Sequence, residues 1–417
     1  MPSMKGIIRV ASDKSISHRA LIISSVSYGL SRIKNLLRSD DCMSTMNCLI
    51  NLGLEIYEKN DEMFVNGKGL RLKKPSLALD AGNSGTTVRL LSGILAGQDF
   101  TTEIRGDESL SKRPMNRIAS PLERMGAAVS TTDGCLPLKI VGNKLKPVNY
   151  LSRIPSAQVK SCVLLAGLYP RGITNYTEPE KSRDHTERML KNFGAHLSED
   201  VNTISIKGEA SLHSSDVFVP GDISSAAFFI VAALLCKNSE LKIENVGINP
   251  TRMGILHVLG RMCGNIVIEN KRTVCEEPIA DIIVKSSDLK ATVVTPKEIS
   301  LLIDEIPIIA VAATQAHGVT RITGAGELRV KETDRLKAIS TELKKMGANI
   351  EELEDGLVIT GPTEMSGAMV NSYKDHRIAM SLAVASLVAG GNTEISDSEC
   401  VKISFPDFWE LLKKTTQ

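Results

Sequence analysis

The sequence predicts an α/β protein assembled from six similar units, set as two lobes of three with sheets outside and helices inside. Three observations lead there. Two short motifs recur with nearly the same period, one helix of each unit reads as apolar nearly all round, and the composition suits aliphatic packing. The 417 residues are 42% hydrophobic but only 4% aromatic, which favours Ala, Ile, Leu and Val between helix and sheet over platforms that stack bases. A chain this long exceeds one ordinary core, so two domains are expected.

The first recurring motif is a large apolar residue near a Gly that closes a helix and leads into strand residues. It occurs at Leu52-Gly53-Leu54, Met125-Gly126-Ala127, Phe193-Gly194-Ala195, Met262-Cys263-Gly264 and Met346-Gly347-Ala348. The glycines are 73, 68, 70 and 83 residues apart, and Gly suits the left-handed residue that ends a helix. Polar hairpins are expected to follow, as at Glu58 to Gly67, Thr131 to Gly142 and Glu351 to Gly361.

The second motif is a small or polar cap opening an Ala- and Leu-rich helix. It is seen at Asp13, Asn83, Ser156, Asp222, Asp304 and Asp375, with gaps of 70, 73, 66, 82 and 71 residues. Runs such as Ala226–Leu235 and Ile378–Leu387 are apolar on every face and are expected to be buried. Arg188–Asn192 and Asp334–Lys345 carry charged faces and read as outer helices. Pro220-Gly221, near the middle, is the expected crossing between lobes.

Net charge is +2, which gives no overall pull towards nucleic acid or anionic membrane, so any preference for anions must be local. Eight cysteines lie singly with no C-x-x-C pair, a pattern of reduced thiols rather than of a disulfide framework. Met1 to Val10 carry no apolar secretion core, and the longest apolar run, Ala226 to Cys236, is too short to span a bilayer. A cytoplasmic protein is expected, without nucleic-acid or membrane partners, and it is read as a monomer.

The helix starts carry the chemistry. Unpaired N–H groups and the positive end of the peptide dipoles make an anion site there. Ser, Asp and Asn at such places are ordinary caps, but Lys14 and Arg377 in first turns oppose the dipole. Several such violations in one repeat set favour a bound anion. Arg19 and Arg89 add charge. Gly82-Asn83-Ser84-Gly85-Thr86-Thr87 has the look of a phosphate-cradling turn, without the spacing of a nucleotide P-loop. The run Glu327 to Leu336 is dense in charge; on a helix, Lys331 and Arg335 would be i,i+4 neighbours, and a solvated face is the alternative. Arg113 precedes Pro114 and is therefore expected in extended backbone on a loop. Asp304 is either a cap or a buried base.

At these residues the chain resembles the 5-enolpyruvylshikimate-3-phosphate synthases of the enolpyruvyl transferase family, over essentially its whole length. The resemblance rests on Asp13-Lys14-Ser15-Ile16-Ser17-His18-Arg19, Gly82-Asn83-Ser84-Gly85-Thr86, Arg113-Pro114-Met115 and Ser156-Ala157-Gln158. It continues through Ser182-Arg183-Asp184-His185-Thr186-Glu187, Asp304-Glu305, Lys331-Glu332-Thr333-Asp334-Arg335 and Asp375-His376-Arg377. It implies two lobes of three βαβαββ-type units each, an inside-out α/β barrel with buried parallel helices. One lobe would take residues 1–12 and 222–417 and the other 13–221, with the active site in the cleft between them. It also implies transfer of the enolpyruvyl group of phosphoenolpyruvate to the 5-hydroxyl of shikimate 3-phosphate, with release of phosphate and neither metal nor organic cofactor.

By the same resemblance, Lys14, Gly85, Arg113, Gln158, Arg335 and Arg377 hold phosphoenolpyruvate. Lys14, Ser15, Arg19, Ser156, Ala157, Gln158, Arg183, Asp304 and Lys331 hold shikimate 3-phosphate. Asp304 is the expected base on the 5-hydroxyl, and Glu332 or Lys14 exchanges the proton at C3. Chemistry asks for such a set, because two anions must be brought together and one oxygen loses a proton as one carbon gains it. The end motif Cys400 to Pro406 departs from the family: Ile403 stands where many members carry a Lys, with Lys402 just before it. Gly85 leaves space beside phosphoenolpyruvate, as in members open to glyphosate. The sister enzymes acting on UDP-N-acetylglucosamine would have a Cys in the loop before Arg113, and Gly106 to Lys112 contain none. An RNA 3′-phosphate cyclase would need a basic surface, which the net charge does not supply. A repeat scaffold without activity has no reason to set cations at helix starts.

Overall fold

The computed structural model describes residues 2–417, and the chain divides into two compact units. The terminal unit comprises the residues up to Asp13, Pro220–Thr273 and Pro278–Gln417; the middle unit comprises Lys14–Val219 and the short turn Val274–Glu277.

The middle unit contains three four-stranded sheets of one pattern. In each, a short strand lies parallel to a longer one, and an antiparallel hairpin completes the sheet. Leu79–Asp80 runs parallel to Thr101–Arg105, with Leu79 opposite Ile104. Cys135–Val141 pairs antiparallel with that strand and with Ala128–Thr132 at the edge. The strand Cys135–Val141 alternates buried and exposed side chains, so one sheet face meets the core and the other meets water. Inside lie the helices Lys14–Ser25, Gly85–Ala96 and Ala157–Ala166, buried on almost every face. The last two approach so closely that a Cβ on Gly93 would lie 2.3 Å from the Cys162 carbonyl oxygen. Only glycine fits there.

The terminal unit repeats the plan with the helices Ile223–Leu235, Ile306–Thr314 and His376–Ser386, which pack on one another. Lys5–Ile8 pairs parallel with Glu240–Gly247 in one four-stranded sheet, and Val293–Val294 with Gly318–Ile322 in another. The sixth repeat has only two strands, Met369–Asn371 and Glu394–Ser396. Where the others form a hairpin, the chain makes the 3-10 turn Ser398–Ile403 and the helix Phe408–Thr415. This end is aromatic: Phe405 and Phe408 pack against Phe229, with ring centroids 5.9 and 5.7 Å away. A general scarcity of aromatics thus hides one local cluster. Among the described residues the sheets stay separate and no barrel of strands closes, and no helix is long and apolar enough to cross a membrane.

Four of the five helix-ending motifs place Gly in the left-handed region, with φ of 87°, 106°, 88° and 92° at Gly53, Gly126, Gly194 and Gly347. The fifth differs from the expectation. Cys263 takes that conformation, with φ of 66°, and Gly264 follows it. The amide of Gly264 bonds to the Leu259 carbonyl at 2.9 Å, as Ala127 does to Leu122 and Ala348 to Leu343. Gly264 therefore occupies the place of those alanines, and a Cβ there would meet the Leu259 oxygen at 2.9 Å and Leu234 at 3.2 Å. Close packing fixes the glycine one residue late.

Candidate active site

In the middle unit the predicted residues cluster at helix starts. Lys14 is the first residue of its helix and donates to Asp41 at 2.9 Å. Asp41 lies in the first turn of the helix Asp40–Asn51, where a carboxylate also suits the dipole. Arg19 is buried one turn after Ser15. Its Nη1 donates to the Ser15 carbonyl at 2.9 Å, its Nε to Thr186 Oγ1 at 2.6 Å and its Nη2 to Ser161 Oγ at 2.8 Å. One guanidinium thereby ties three helices together. Ser156 caps the helix Ala157–Ala166, its hydroxyl accepting from the Val159 amide, so Ala157 and Gln158 form that helix's first turn. Arg183 is half-buried in the segment before the helix His185–Asn192.

Gln158 links this group to the Asn83–Gly85 turn. Its amide nitrogen donates to Thr86 Oγ1 at 2.9 Å, and its oxygen accepts from Arg89 Nη1. Ser84 caps the helix Gly85–Ala96 by accepting from the Thr87 amide. A Cβ on Gly85 would stand 3.0 Å from Arg89 Nη1 and 3.6 Å from Arg113 Nη1, so Gly85 leaves both guanidiniums room. Arg113 has the extended backbone expected before Pro114, with ψ of 141°, and its Nη2 donates to Asn83 Oδ1 at 2.7 Å. Beneath these groups His18 is fully buried, its Nδ1 2.7 Å from Thr45 Oγ1. Burial, with Lys14 and Arg19 nearby, holds its pKa well below the ordinary imidazole value.

In the terminal unit, Arg335 is the hub. It opens the helix Arg335–Lys345 behind the cap Asp334 and is 1% exposed. Its Nε donates to Asp375 at 2.7 Å, its Nη2 to Glu332 at 2.6 Å and its Nη1 to Asp304 at 3.2 Å. Burial opposes the charge, but Asp375, Glu332 and Asp304 raise its pKa above the usual guanidinium value. Asp304 lies in the 3-10 turn Ile303–Glu305 ahead of the helix Ile306–Thr314. Arg377 is held more loosely: Nη1 donates to the Asp304 carbonyl at 3.3 Å, and Nη2 is 3.7 Å from the Asp304 carboxylate. Asp375 caps the helix that carries Arg377 while it accepts from Arg335.

One sequence expectation needs correction here. The helix begins at Arg335, so Lys331 and Glu332 precede it rather than share its face. Asp334 accepts from the Lys337 amide, and that cap stops the helix from extending back. The Glu332–Arg335 pair survives through the turn. Lys402 is exposed and pairs with Glu399 in the turn Ser398–Ile403, with Ile403 half-buried behind it.

Residues that sequence reasoning missed are mostly counter-ions: Asp41 for Lys14 and Asp375 for Arg335. An Asp in a first turn looks the same whether it caps, tunes the dipole or holds a cation. Arg252 was missed too. It is 2% exposed and donates to Asp13 at 3.1 Å, Asp222 at 2.9 Å and Ser224 at 2.7 Å, which fixes the start of the helix Ile223–Leu235. Ser224 in turn donates to Glu305, beside Asp304. Among the described residues no group of His, Cys, Asp and Glu is arranged to hold a metal ion.

The chain matches the family model of EPSP synthase (3-phosphoshikimate 1-carboxyvinyltransferase) over residues 2–412. It is 52% identical to a 3-phosphoshikimate 1-carboxyvinyltransferase of Endomicrobium trichonymphae, over 98% of this chain and 96% of that one. A relative of the same name from Thermoanaerobacter sp. is also 52% identical, with the same coverage. Among solved structures, an EPSP synthase from Acinetobacter baumannii superposes with a TM-score of 0.89 at 43% identity, covering 99% of this chain and 96% of that one. The enolpyruvyl transferase NikO of Streptomyces tendae shares the fold, with a TM-score of 0.80 at 18% identity, covering 99% and 95%. A match along nearly the whole length, joined to carboxylates and guanidiniums set at helix starts, places the chain in the EPSP synthase family.

Proposed function

We infer that the chain transfers the enolpyruvyl group of phosphoenolpyruvate to the 5-hydroxyl of shikimate 3-phosphate by addition and elimination. The observation that best supports the chemistry is the pair of carboxylates on one guanidinium. Asp304 and Glu332 both accept from Arg335, at 3.2 and 2.6 Å. Asp304 takes the proton of the 5-hydroxyl as its oxygen bonds to C2, and Glu332 or Lys14 delivers a proton to C3. The adduct then loses a proton from C3 while the C2–O bond to phosphate breaks, which leaves the enol ether and inorganic phosphate. Lys14, Gly85, Arg113, Gln158, Arg335 and Arg377 hold phosphoenolpyruvate, whose carboxylate and phosphate suit forked guanidiniums. Ser15, Arg19, Ser156, Ala157, Gln158, Arg183 and Lys331 hold shikimate 3-phosphate with Lys14 and Asp304.

Phosphate release on mixing both substrates, with each omitted in turn, tests the reaction. Asp304→Ala lowers turnover by roughly 10²–10⁴-fold, the range of a lost general base. Unchanged turnover removes Asp304 from the mechanism. The reading also takes the enzyme to be a cytoplasmic monomer, for which light scattering should return a mass near the 45.1 kDa of one chain; twice that mass contradicts it.

A further inference from the structure

Lys160 is a fully buried ammonium that the reaction does not use. It lies on the helix Ala157–Ala166, two residues after Gln158, with a side chain that is 0% exposed. Its Nζ is 2.8 Å from Glu178 Oε1 and 2.8 Å from Glu187 Oε1, and both carboxylates are as deeply buried. Burial disfavours the charge on Lys160, but Glu187 and Glu178 raise its pKa above the ordinary lysine value. Burial pushes the Glu187 carboxyl up, against the pull of Lys160. Such a group is costly to bury for stability alone, since apolar side chains of similar size often serve as well.

What the cluster holds is the residue before Arg183. Lys160 Nζ donates to the Ser182 carbonyl at 3.1 Å. Glu178 accepts from the Ser182 amide at 2.9 Å and from its hydroxyl at 2.6 Å. Every polar group of Ser182 is thereby fixed. On the other side, Asp184 accepts from Arg188 at 2.9 Å, and Thr186 is held by Arg19 and Ser161 at 2.6 Å each. Arg183 stands between two clamped neighbours. With both neighbours held, its guanidinium projects from a defined origin.

We propose that Lys160, Glu178 and Glu187 are positioning residues for Arg183, and that through it they set the affinity for shikimate 3-phosphate. The proposal rests on the reading of Arg183 as a shikimate 3-phosphate ligand. Glu178→Gln retains the size of the side chain and weakens its grip on Ser182. The expected result is a KM for shikimate 3-phosphate raised about tenfold, the effect of a charge-assisted bond lost. The KM for phosphoenolpyruvate and kcat at saturating substrate stay within about twofold of the parent. In an Arg183→Ala background, Glu178→Gln adds less than about twofold, because neighbours acting through one group are not additive. An equal penalty in both backgrounds, or a fall in kcat alone, overturns the proposal. If Arg183→Ala itself leaves the KM for shikimate 3-phosphate unchanged, the parent assignment fails instead, and the inference goes with it. Should Glu178→Gln not fold, Ser182→Ala removes the hydroxyl contact alone and carries the same cycle.

Discussion

Lys14 and Arg335 both open helices, where a positive side chain meets the positive end of the peptide dipoles. The conflict is legible in sequence at Lys14 but not at Arg335, which the sequence reading set on a helix shared with Lys331, and its resolution is legible at neither. Asp41 belongs to the next helix and Asp375 lies 40 residues beyond Arg335, so nothing local announced either as a counter-ion. His18 was legible only as a letter of a motif, since burial cannot be read from one residue. Its depressed pKa has a measurable consequence. The unfolded chain binds a proton near pH 6.5 that the folded site refuses, so the associated stability is complete above that pH and is lost as pH falls below it. Urea midpoints should fall between pH 7 and pH 5 with a contribution of up to about 1.4 kcal/mol per pH unit. His18→Gln should flatten that part of the profile; parallel profiles count against the assignment.

The apolar helices and polar hairpins were legible because each has its own period and its own punctuation. Glu55–Lys59 with Glu62–Lys68 and Asn349–Leu353 with Gly356–Gly361 lie where the glycine motifs placed them. The sixth repeat lost its hairpin to a turn and a helix anchored by Phe405 and Phe408, and the absence of a sixth glycine motif was the available signal. The shift at Cys263 was hidden, because the preference for Gly264 comes from Leu234 and Leu259, which are brought near only by folding. A non-glycine residue in the left-handed region costs about 1 kcal/mol. Cys263→Gly should therefore stabilise the terminal unit by up to about 1 kcal/mol, read as a raised urea midpoint with an unchanged slope. A lowered midpoint contradicts this account of the helix end.

At the scale of the molecule, each unit carries its own apolar core. The run Lys14–Val219 closes on itself, for Val217 pairs with Ile33 and the Val219 amide bonds to the Lys34 carbonyl at 3.0 Å. Residues 14–219 alone should unfold in one cooperative thermal transition by circular dichroism, although His185 loses its bond to Glu277. A broad transition with strong dye binding excludes an autonomous unit. The strand Lys5–Ile8 is in the opposite situation. Its partner is Glu240–Ile243, so during synthesis this strand waits until the whole inserted segment Lys14–Val219 has been made. At roughly 5–20 residues per second, that interval is on the order of tens of seconds. The strand must stay uncommitted throughout, and its brevity, with Lys5 and Gly6 at its head, makes it a poor template for aggregation. Assembly thus runs from the inserted segment outward, and the strand Lys5–Ile8 is among the last elements to find its place.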